Sequence, residues 1–295
     1  MKLDILLKLI AFLFSTIVID EWRSVDHKHW QVQAPDDGWT KKGTQLFSPT
    51  PECMNGMVGV HGKMKLGDPR KGSVEDLQRT TCVRYKGPFN DDGSPKFPER
   101  CEEFDRPKWE AIARTLPSKQ IDVCIDRYEY PNVAGQYPLI YVSYYEARDM
   151  CLAQHKRLCT EDEWTFACEG PEALPYPYGY KRDDVACNID KPWIAPNLPI
   201  GVPRDGNKLR DELARLWQGE RSGARGGCVS PFGVHDMTGN VDEWTSSIRP
   251  RPYKSVMKGG YWGQVRNRCR PATTVHNEFF VYYQQGFRCC SDVFH

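Results

Sequence analysis

Twelve cysteines in a chain of 295 residues constrain this sequence more than any other feature. They do not have zinc-site spacing, because the only close pair is Cys289-Cys290 and no Cys-x-x-Cys occurs. A high, even number of cysteines is typical of a disulfide framework formed in an oxidising compartment. The alternative is a reduced protein with buried thiols. We therefore expect a secreted, periplasmic or cell-surface protein whose fold is stapled by disulfides.

The rest of the composition favours a loop-rich globular fold. Glycine (24) and proline (22) are plentiful, and 9 Trp, 14 Tyr and 12 Phe supply the apolar bulk. Lys plus Arg (40) nearly balance Asp plus Glu (39), so no basic surface for nucleic acid is indicated. The mean hydropathy of −0.62 excludes a protein with many membrane spans.

The first 50 residues carry targeting and linker patterns. Residues 1–19 include an apolar run, interrupted by Lys8, that resembles the core of a signal peptide or a weak anchor. The run is shorter than the ~20 residues of a spanning helix, and no small-x-small cleavage site follows it. The alternative is an amphipathic start. Residues 20–50 are polar and indicate a linker, so a membrane contact is expected only through the first segment.

Residues 51–291 carry the patterns of one folded domain. Alternation over residues 57–64 predicts a strand. Residues 68–120 are rich in Lys, Pro, Gly and Asp, and contain Cys82 and Cys101. They predict an insertion that is closed by a disulfide.

Two capping boxes predict two short helices. Ser143 and Glu146 form the first and open a helix over residues 144–154, while Thr160 and Glu163 form the second. Further strands are predicted at 123–130 and 139–142, and a helical patch at 211–217.

Ordered strings of this domain resemble the formylglycine-generating-enzyme (sulfatase-modifying factor) family. They include Lys156-Arg157-Leu158-Cys159-Thr160-Glu161-Asp162-Glu163-Trp164, Phe232-Gly233-Val234-His235-Asp236-Met237-Thr238-Gly239-Asn240-Val241-Asp242-Glu243-Trp244, Lys258-Gly259-Gly260-Tyr261-Trp262 and Gly286-Phe287-Arg288. The resemblance implies an α+β fold of the C-type-lectin-like kind, with little regular secondary structure. It also implies an O2-dependent oxidation of a peptidyl cysteine to formylglycine.

The resemblance further implies two disulfides, Cys151–Cys289 and Cys168–Cys269, by position. The remaining eight cysteines are not assigned by it. For them we offer guesses: Cys53–Cys124, Cys82–Cys101, Cys159–Cys290 and Cys187–Cys228.

A structural calcium ion is expected at the segment from Asp236 to Glu243. Calcium takes six to eight oxygen ligands, and a tight turn at Gly239 lets carbonyl groups point inward. The resemblance implies the Asp236 and Glu243 side chains and the Gly239 and Val241 carbonyls as ligands. The alternative is a hydrogen-bonded turn in which Glu243 caps backbone amides. A second, incompletely matched set is left open: Asn188 and the Ile189 carbonyl.

The catalytic loop departs from the family pattern. The enzymes bind copper(I), which thiolates suit, through two cysteines between "G-G-S-W" and the disulfide cysteine. Here the loop from Trp262 to Cys269 is shorter and holds no cysteine before Cys269. Tyr261 also replaces the serine. Copper is therefore not expected, and no catalytic residue can be assigned.

Basic and aromatic side chains replace the lost thiols. Arg266, Arg268 and Arg270 alternate, and on an extended strand they could bind a carboxylate, phosphate or sulfate. The alternative is a solvated edge strand with ordinary ion pairs. The full candidate pocket is Tyr261, Trp262, Gln264, Arg266, Arg268, Arg270 and His276.

Two functions remain open at this level. One is a diverged enzyme with an unknown reaction. The other is a non-catalytic, calcium-stabilised module that binds a protein, peptide or small-molecule ligand on the lectin-like scaffold. Family resemblance favours the first, and the missing cysteine pair favours the second.

Overall fold

The computed structural model describes residues 52–197 and 206–294. The expected targeting segment (1–19) and linker (20–50) lie outside these ranges. Within them, no helix has both the length and the apolar character needed to cross a bilayer.

The described residues form ten strands and five helices joined by long loops. In chain order they are β1 (Met57–Lys65), α1 (Val74–Arg79), β2 (Cys82–Tyr85), β3 (Cys101–Phe104), α2 (Arg106–Ala113), β4 (Ser118–Asp126), α3 (Tyr144–Leu152), β5 (Arg157–Leu158), α4 (Glu161–Glu169), α5 (Asn207–Leu216), β6 (Asp242–Ser246), β7 (Ser255–Lys258), β8 (Ala272–Thr273), β9 (Gln285–Phe287) and β10 (Cys289–Ser291).

The first sheet joins the two ends of the domain. Its strand order is β1-β4-β10-β5, and every pair in it is antiparallel. β1 and β4 pair along their full length, so that Val60 lies opposite Val123 with both side chains fully buried. Because β10 lies between β4 and β5, strands from the beginning and the end of the described residues share one sheet.

Residues 66–117 form an excursion between the paired strands β1 and β4. The excursion holds α1, the β2–β3 hairpin and α2, and the Cys82–Cys101 disulfide joins the two strands of its hairpin. Trp109 of α2 is fully buried and donates its indole N–H to the Ala173 carbonyl at 2.9 Å. The excursion is therefore packed onto the body of the domain.

Both predicted helices are present with their capping boxes. Ser143 accepts from the Glu146 amide before α3, and Thr160 accepts from the Glu163 amide before α4. The reciprocal carboxylate bonds are also made, which satisfies amides that the first helical turn leaves without partners.

The prediction of a strand at 139–142 is wrong. Leu139 bonds to the Tyr130 carbonyl and Tyr141 to the Gln285 carbonyl, but Tyr141 has a φ of +63°. A left-handed residue interrupts the extended backbone that a ladder requires. The segment is buried as an irregular chain because its backbone amides find partners without a sheet.

The second sheet carries the aromatic half of the core. Its order is β8-β7-β6-β9, with β6 and β9 parallel. Trp244, Trp262 and Phe287 are buried around it.

Six disulfides use all twelve cysteines, and none remains free. The two pairs implied by the resemblance are both present, as are the four guessed pairs. The bonds are Cys53–Cys124, Cys82–Cys101, Cys151–Cys289, Cys159–Cys290, Cys168–Cys269 and Cys187–Cys228.

Candidate functional site

The loop from Trp262 to Cys269 is fixed in the interior at both ends. Trp262 is 1% exposed, its amide donates to the Asn240 carbonyl at 3.1 Å, and its carbonyl accepts from the Lys191 amide at 2.8 Å. Cys269 is fully buried and bonded to Cys168 of α4. The loop therefore offers no thiol to a soft metal ion.

The three alternating arginines do not form an anion-binding strand, and that expectation is wrong. Residues 264–270 are irregular, and each arginine reaches into the interior to a different carboxylate. The pairs are Arg266 with Asp242, Arg268 with Glu75 and Arg270 with Glu169. The alternative is right about ion pairs with Asp or Glu but wrong about a solvated edge strand, because the Arg268 side chain is 0% exposed. These residues tie the loop to β6, α1 and α4.

The other members of the expected pocket divide between two surroundings. Trp262 packs edge-on against Trp217, and the Tyr261 ring lies edge-on to Tyr283 with centroids 6.1 Å apart. His276 stacks on Phe280 with ring centroids 3.7 Å apart. These three belong to one aromatic cluster. Gln264 is exposed and faces Arg100 instead, whose Nη2 donates to its amide oxygen at 3.1 Å.

A cavity of about 470 Å³ opens beside this aromatic cluster, between α5 and residues 277–283. Helix α5 contributes leucines on one face because their spacing follows the helical period. The opposite wall is aromatic. The lining includes Leu209, Leu213, Leu216, Phe279, Tyr282 and Tyr283.

Glu212 holds α5 in place at the polar end of this cavity. Its carboxylate accepts from the Asn197 amide at 2.7 Å and from two nitrogens of Arg215, at 2.6 and 2.8 Å. Its charge is thus neutralised within the helix. The cavity therefore presents mainly apolar surface, with a few polar groups that could orient a ligand.

Phe279 marks the open rim of the cavity. Its side chain is 75% exposed, and its ring lies edge-on to Tyr145 of α3 with centroids 4.9 Å apart. Sequence reasoning missed this site. The available signal was the apolar run from Phe279 to Tyr283 within a polar stretch. An aromatic side chain at an exposed position of such a run indicates a binding surface.

The structure brings the second expected set of calcium ligands, Asn188 and Ile189, against the turn that contains Asp236 and Gly239. Asp236, Gly239 and Asn240 have φ values of +58°, +82° and +53°, which give the turn its tight shape. Asn188 lies directly against it: the Asn240 amide donates to the Asn188 carbonyl at 2.9 Å, and Asn188 Nδ2 donates to Asn240 Oδ1 at 3.1 Å. Ile189 follows and is buried.

Glu243 is engaged elsewhere. Arg288 donates to both of its carboxylate oxygens at 2.7 Å, and the Trp164 indole N–H donates to one of them at 2.7 Å. Both charged side chains are essentially unexposed. Glu243 therefore fits an ion pair with side chains better than a calcium ligand, and it does not cap backbone amides.

Two buried carboxyl groups, Glu129 and Asp236, lie at the turn. Burial raises the pKa of Glu129 well above its ordinary value, and burial raises the pKa of Asp236 to about 7. Asn188 Oδ1 is buried and accepts no hydrogen bond. Such an oxygen suits a calcium ion, although no group of three or more His, Cys, Asp or Glu in the described ranges is arranged to hold a metal. The calcium site stays a prediction.

Comparison with known proteins decides the family. The model of the "Sulfatase-modifying factor enzyme 1-like domain" family matches residues 83–293. The chain belongs to this family. Its α+β, C-type-lectin-like fold class is thereby confirmed.

Several curated proteins resemble part of this sulfatase-modifying-factor domain. "Inactive C-alpha-formylglycine-generating enzyme 2" of Bos taurus is 30% identical over 180 residues, which cover 53% of this chain and 50% of that protein. Its Mus musculus counterpart is 28% identical over 52% and 49%. "Formylglycine-generating enzyme" of Bos taurus is 27% identical over 53% and 44%. The matching region thus spans about half the length of these relatives.

Solved structures with similar coordinates are more distant in sequence. CarF gives a TM-score of 0.48 at 14% identity and covers 81% of this chain and 98% of its own. PvdO from Pseudomonas aeruginosa gives 0.48 at 14% identity, over 80% and 94%.

The disulfide content indicates a compartment. Six disulfides in one domain are typical of an oxidising compartment, since cytosolic thiol systems keep cysteines reduced.

Proposed function

We propose that this protein is a non-catalytic sulfatase-modifying-factor domain that binds a ligand through the aromatic cavity. One observation carries the first half of the proposal: every cysteine is in a disulfide. The family's oxidation depends on two thiolates that bind copper(I), and a disulfide sulfur carries no negative charge to replace them. The loop from Trp262 to Cys269 holds arginine ion pairs where the thiolates would stand.

The cavity supports the second half of the proposal. Its volume of about 470 Å³ lies in the range of small-ligand and peptide pockets, ~300–1,000 Å³. Leu209, Leu213, Tyr282 and Tyr283 line it, so the group it takes is apolar, such as an aromatic ring or branched aliphatic chain of a peptide or small molecule. Phe279 at the rim would then cover the bound group.

Calcium is part of the same proposal, with a changed ligand set. Asp236 and Asn188 Oδ1, with carbonyls of Gly239, Val241 and Ile189, would hold the ion, while Glu243 stays with Arg288. Support comes from the unpartnered Asn188 oxygen and from Asp236, whose burial raises the pKa of its carboxyl group to about 7; a bound cation would offset the cost of burying the carboxylate. When bound, calcium would fix the turn and have no role in a reaction.

The proposal also places the protein outside the cytoplasm, as a secreted, periplasmic or cell-surface domain. Its support is the disulfide content together with the apolar run within residues 1–19.

Two assays test the proposal. In the first, the protein is incubated with copper(I), O2 and a cysteine-containing peptide, and the product is measured by mass spectrometry. We expect no formylglycine and no O2 uptake above the level without protein. Product formation would instead support the diverged enzyme and overturn the non-catalytic assignment.

The second assay measures binding of the fluorescent apolar probe 8-anilinonaphthalene-1-sulfonate. Phe279→Ala removes part of the cavity wall, and we expect a loss of ~1 kcal/mol, or about fivefold in Kd. Phe294→Ala is the matched control, because Phe294 is 57% exposed and does not line the cavity. Equal Kd values for both variants, or no saturable binding at all, would contradict the cavity assignment.

A further inference from the structure

We infer that a second ligand site, for a small oxyanion, is built from Arg100, Arg182 and Lys86 beside Gln264. Its ligand class is a sulfate, phosphate or carboxylate group. The site shares no residue with the aromatic cavity, so it goes beyond the proposed function.

Arg182 supplies the fixed side of the site. The residue is 8% exposed, and two of its nitrogens bind Asp190 at 2.9 and 2.8 Å. Its Nη2 also donates to Asn267 Oδ1 at 2.7 Å and to the Val265 carbonyl at 3.2 Å. The third nitrogen, Nη1, is buried and has no acceptor. The guanidinium is therefore held in one orientation with a donor left over.

Arg100 approaches the same loop from the excursion between β1 and β4. It is 4% exposed, yet its one side-chain acceptor is the amide oxygen of Gln264, at 3.1 Å from Nη2. Its Nε is buried and has no acceptor. Its guanidinium carbon lies 5.5 Å from the centre of the Phe97 ring, which covers one face.

The side chains in direct contact here are three cations and one carboxylate. Lys86 Nζ donates to Asp190 at 2.7 Å, so Asp190 is shared between Lys86 and Arg182 while Arg100 contacts no carboxylate. Glu102 is near, but it pairs with Arg84 at 3.0 Å. Burial lowers the pKa of Arg100 and repulsion from Arg182 lowers it further, while the more distant charges of Asp190, Glu99 and Glu102 offset this only in part.

The chemistry of the missing partner follows from these donors. A guanidinium presents its N–H groups as a planar fork that matches the oxygens of carboxylate, sulfate and phosphate. A buried N–H without an acceptor is unfavourable, and an oxyanion supplies several acceptors at once. Because Gln264 is exposed, it can turn away and yield the position of its amide oxygen to an oxygen of the anion.

The experiment is a thermal-shift titration of the full chain with sulfate, phosphate and acetate, against chloride at equal ionic strength. We expect a saturable rise in Tm with at least one of the three, and the most effective anion identifies the group. Arg100→Gln should raise the midpoint concentration at least tenfold. Arg79→Gln, which removes the same charge from the α1 surface, should leave it unchanged.

A second variant keeps the test independent of folding defects. Gln264→Glu places a carboxylate on an exposed side chain beside Arg100, so it should raise Tm in chloride and abolish the response to the added anion. The inference is overturned if no anion acts beyond ionic strength, or if the response persists unchanged in both Arg100→Gln and Gln264→Glu. The first result would mean that no anion binds, and the second that the anion binds elsewhere on the protein.

Discussion

Replacing Glu243 by alanine tests the ion pair at the centre of the fold. Glu243 accepts three hydrogen bonds of 2.7 Å, two from Arg288 and one from Trp164, and both charged groups are essentially unexposed. The change leaves the Arg288 guanidinium buried with only backbone carbonyls as partners. Breaking such a pair from one side costs about 3–5 kcal/mol in the free energy of unfolding.

The double variant shows how much of that loss is an unpaired charge. Replacing both residues with apolar ones, Glu243→Leu with Arg288→Met, removes both desolvation penalties together. We expect the double variant to be markedly more stable than Glu243→Leu alone, with a coupling energy of at least ~1 kcal/mol in the double-mutant cycle that includes Glu243→Leu and Arg288→Met as single variants.

The assay is guanidinium chloride unfolding with intact disulfides, run once in calcium and once in chelator. Glu110→Ala serves as the control, because the Arg106–Glu110 pair is a partly exposed i,i+4 pair that contributes under ~1 kcal/mol. We expect the same large loss in the free energy of unfolding for Glu243→Ala in both solutions. A loss below ~1 kcal/mol, or one seen only in calcium, would contradict the ion-pair assignment and restore Glu243 as a calcium ligand.

Three further predictions follow from the structure. Burial lowers the pKa of Lys258 to about 7, while the value in the unfolded chain is near 10.4. Between about pH 7 and 10.4 the unfolded chain therefore binds the proton and the folded chain does not, so the free energy of unfolding rises with pH. Lys258→Met should remove this pH dependence and raise the free energy of unfolding at pH 7, as measured by urea titrations at pH 7 and 9. Removing the Cys159–Cys290 disulfide should lower the free energy of unfolding by ~3 kcal/mol and not by the ~5 kcal/mol expected for an isolated 131-residue loop. The reason is that the Cys151–Cys289 disulfide already shortens the loop that Cys159–Cys290 closes to about ten residues. A loss near the larger value, measured by calorimetry, would contradict this. Calcium should raise the Tm of the native chain but not of Asn188→Ala, and an equal rise in both would exclude Asn188 as a ligand.

The parts of the fold that the sequence predicted are those with local or positional signals. The capping boxes at Ser143 and Thr160 each depend on residues three apart, so they can be read without tertiary information. The Cys151–Cys289 and Cys168–Cys269 bonds came from the order of family motifs rather than from the spacing of cysteines, which permits many pairings.

The arginines at 266–270 show which features local signals in the sequence do not predict. Alternation at Arg266, Arg268 and Arg270 carries no information on partners, and the carboxylates lie far away in sequence: Arg268 pairs with Glu75 across 193 positions. The alternating pattern would suit a surface strand, but in the structure the three arginines pair with carboxylates of β6, α1 and α4 in the interior. Ion pairs of this kind depend on the tertiary fold, which single-sequence reasoning does not provide.

The aromatic cavity was missed for a related reason. Its walls come from α5 and from residues 277–283, and only the fold brings them together. The helical patch predicted at 211–217 located α5, which spans Asn207–Leu216, but gave no hint of what its leucine face would meet. The apolar run from Phe279 to Tyr283 was the one available sign in the sequence, and the exposure of Phe279 is known only from the structure.

The state of Cys269 decides whether the thiol chemistry of this family has been replaced by a structural bond. The direct measurement is alkylation of the unfolded, unreduced protein followed by mass spectrometry of the intact chain and its peptides. The account predicts no alkylated cysteine and a Cys168–Cys269 linked peptide. A protein in which Cys269 is alkylated in good yield, with Cys168 unpaired or bonded elsewhere, would contradict it.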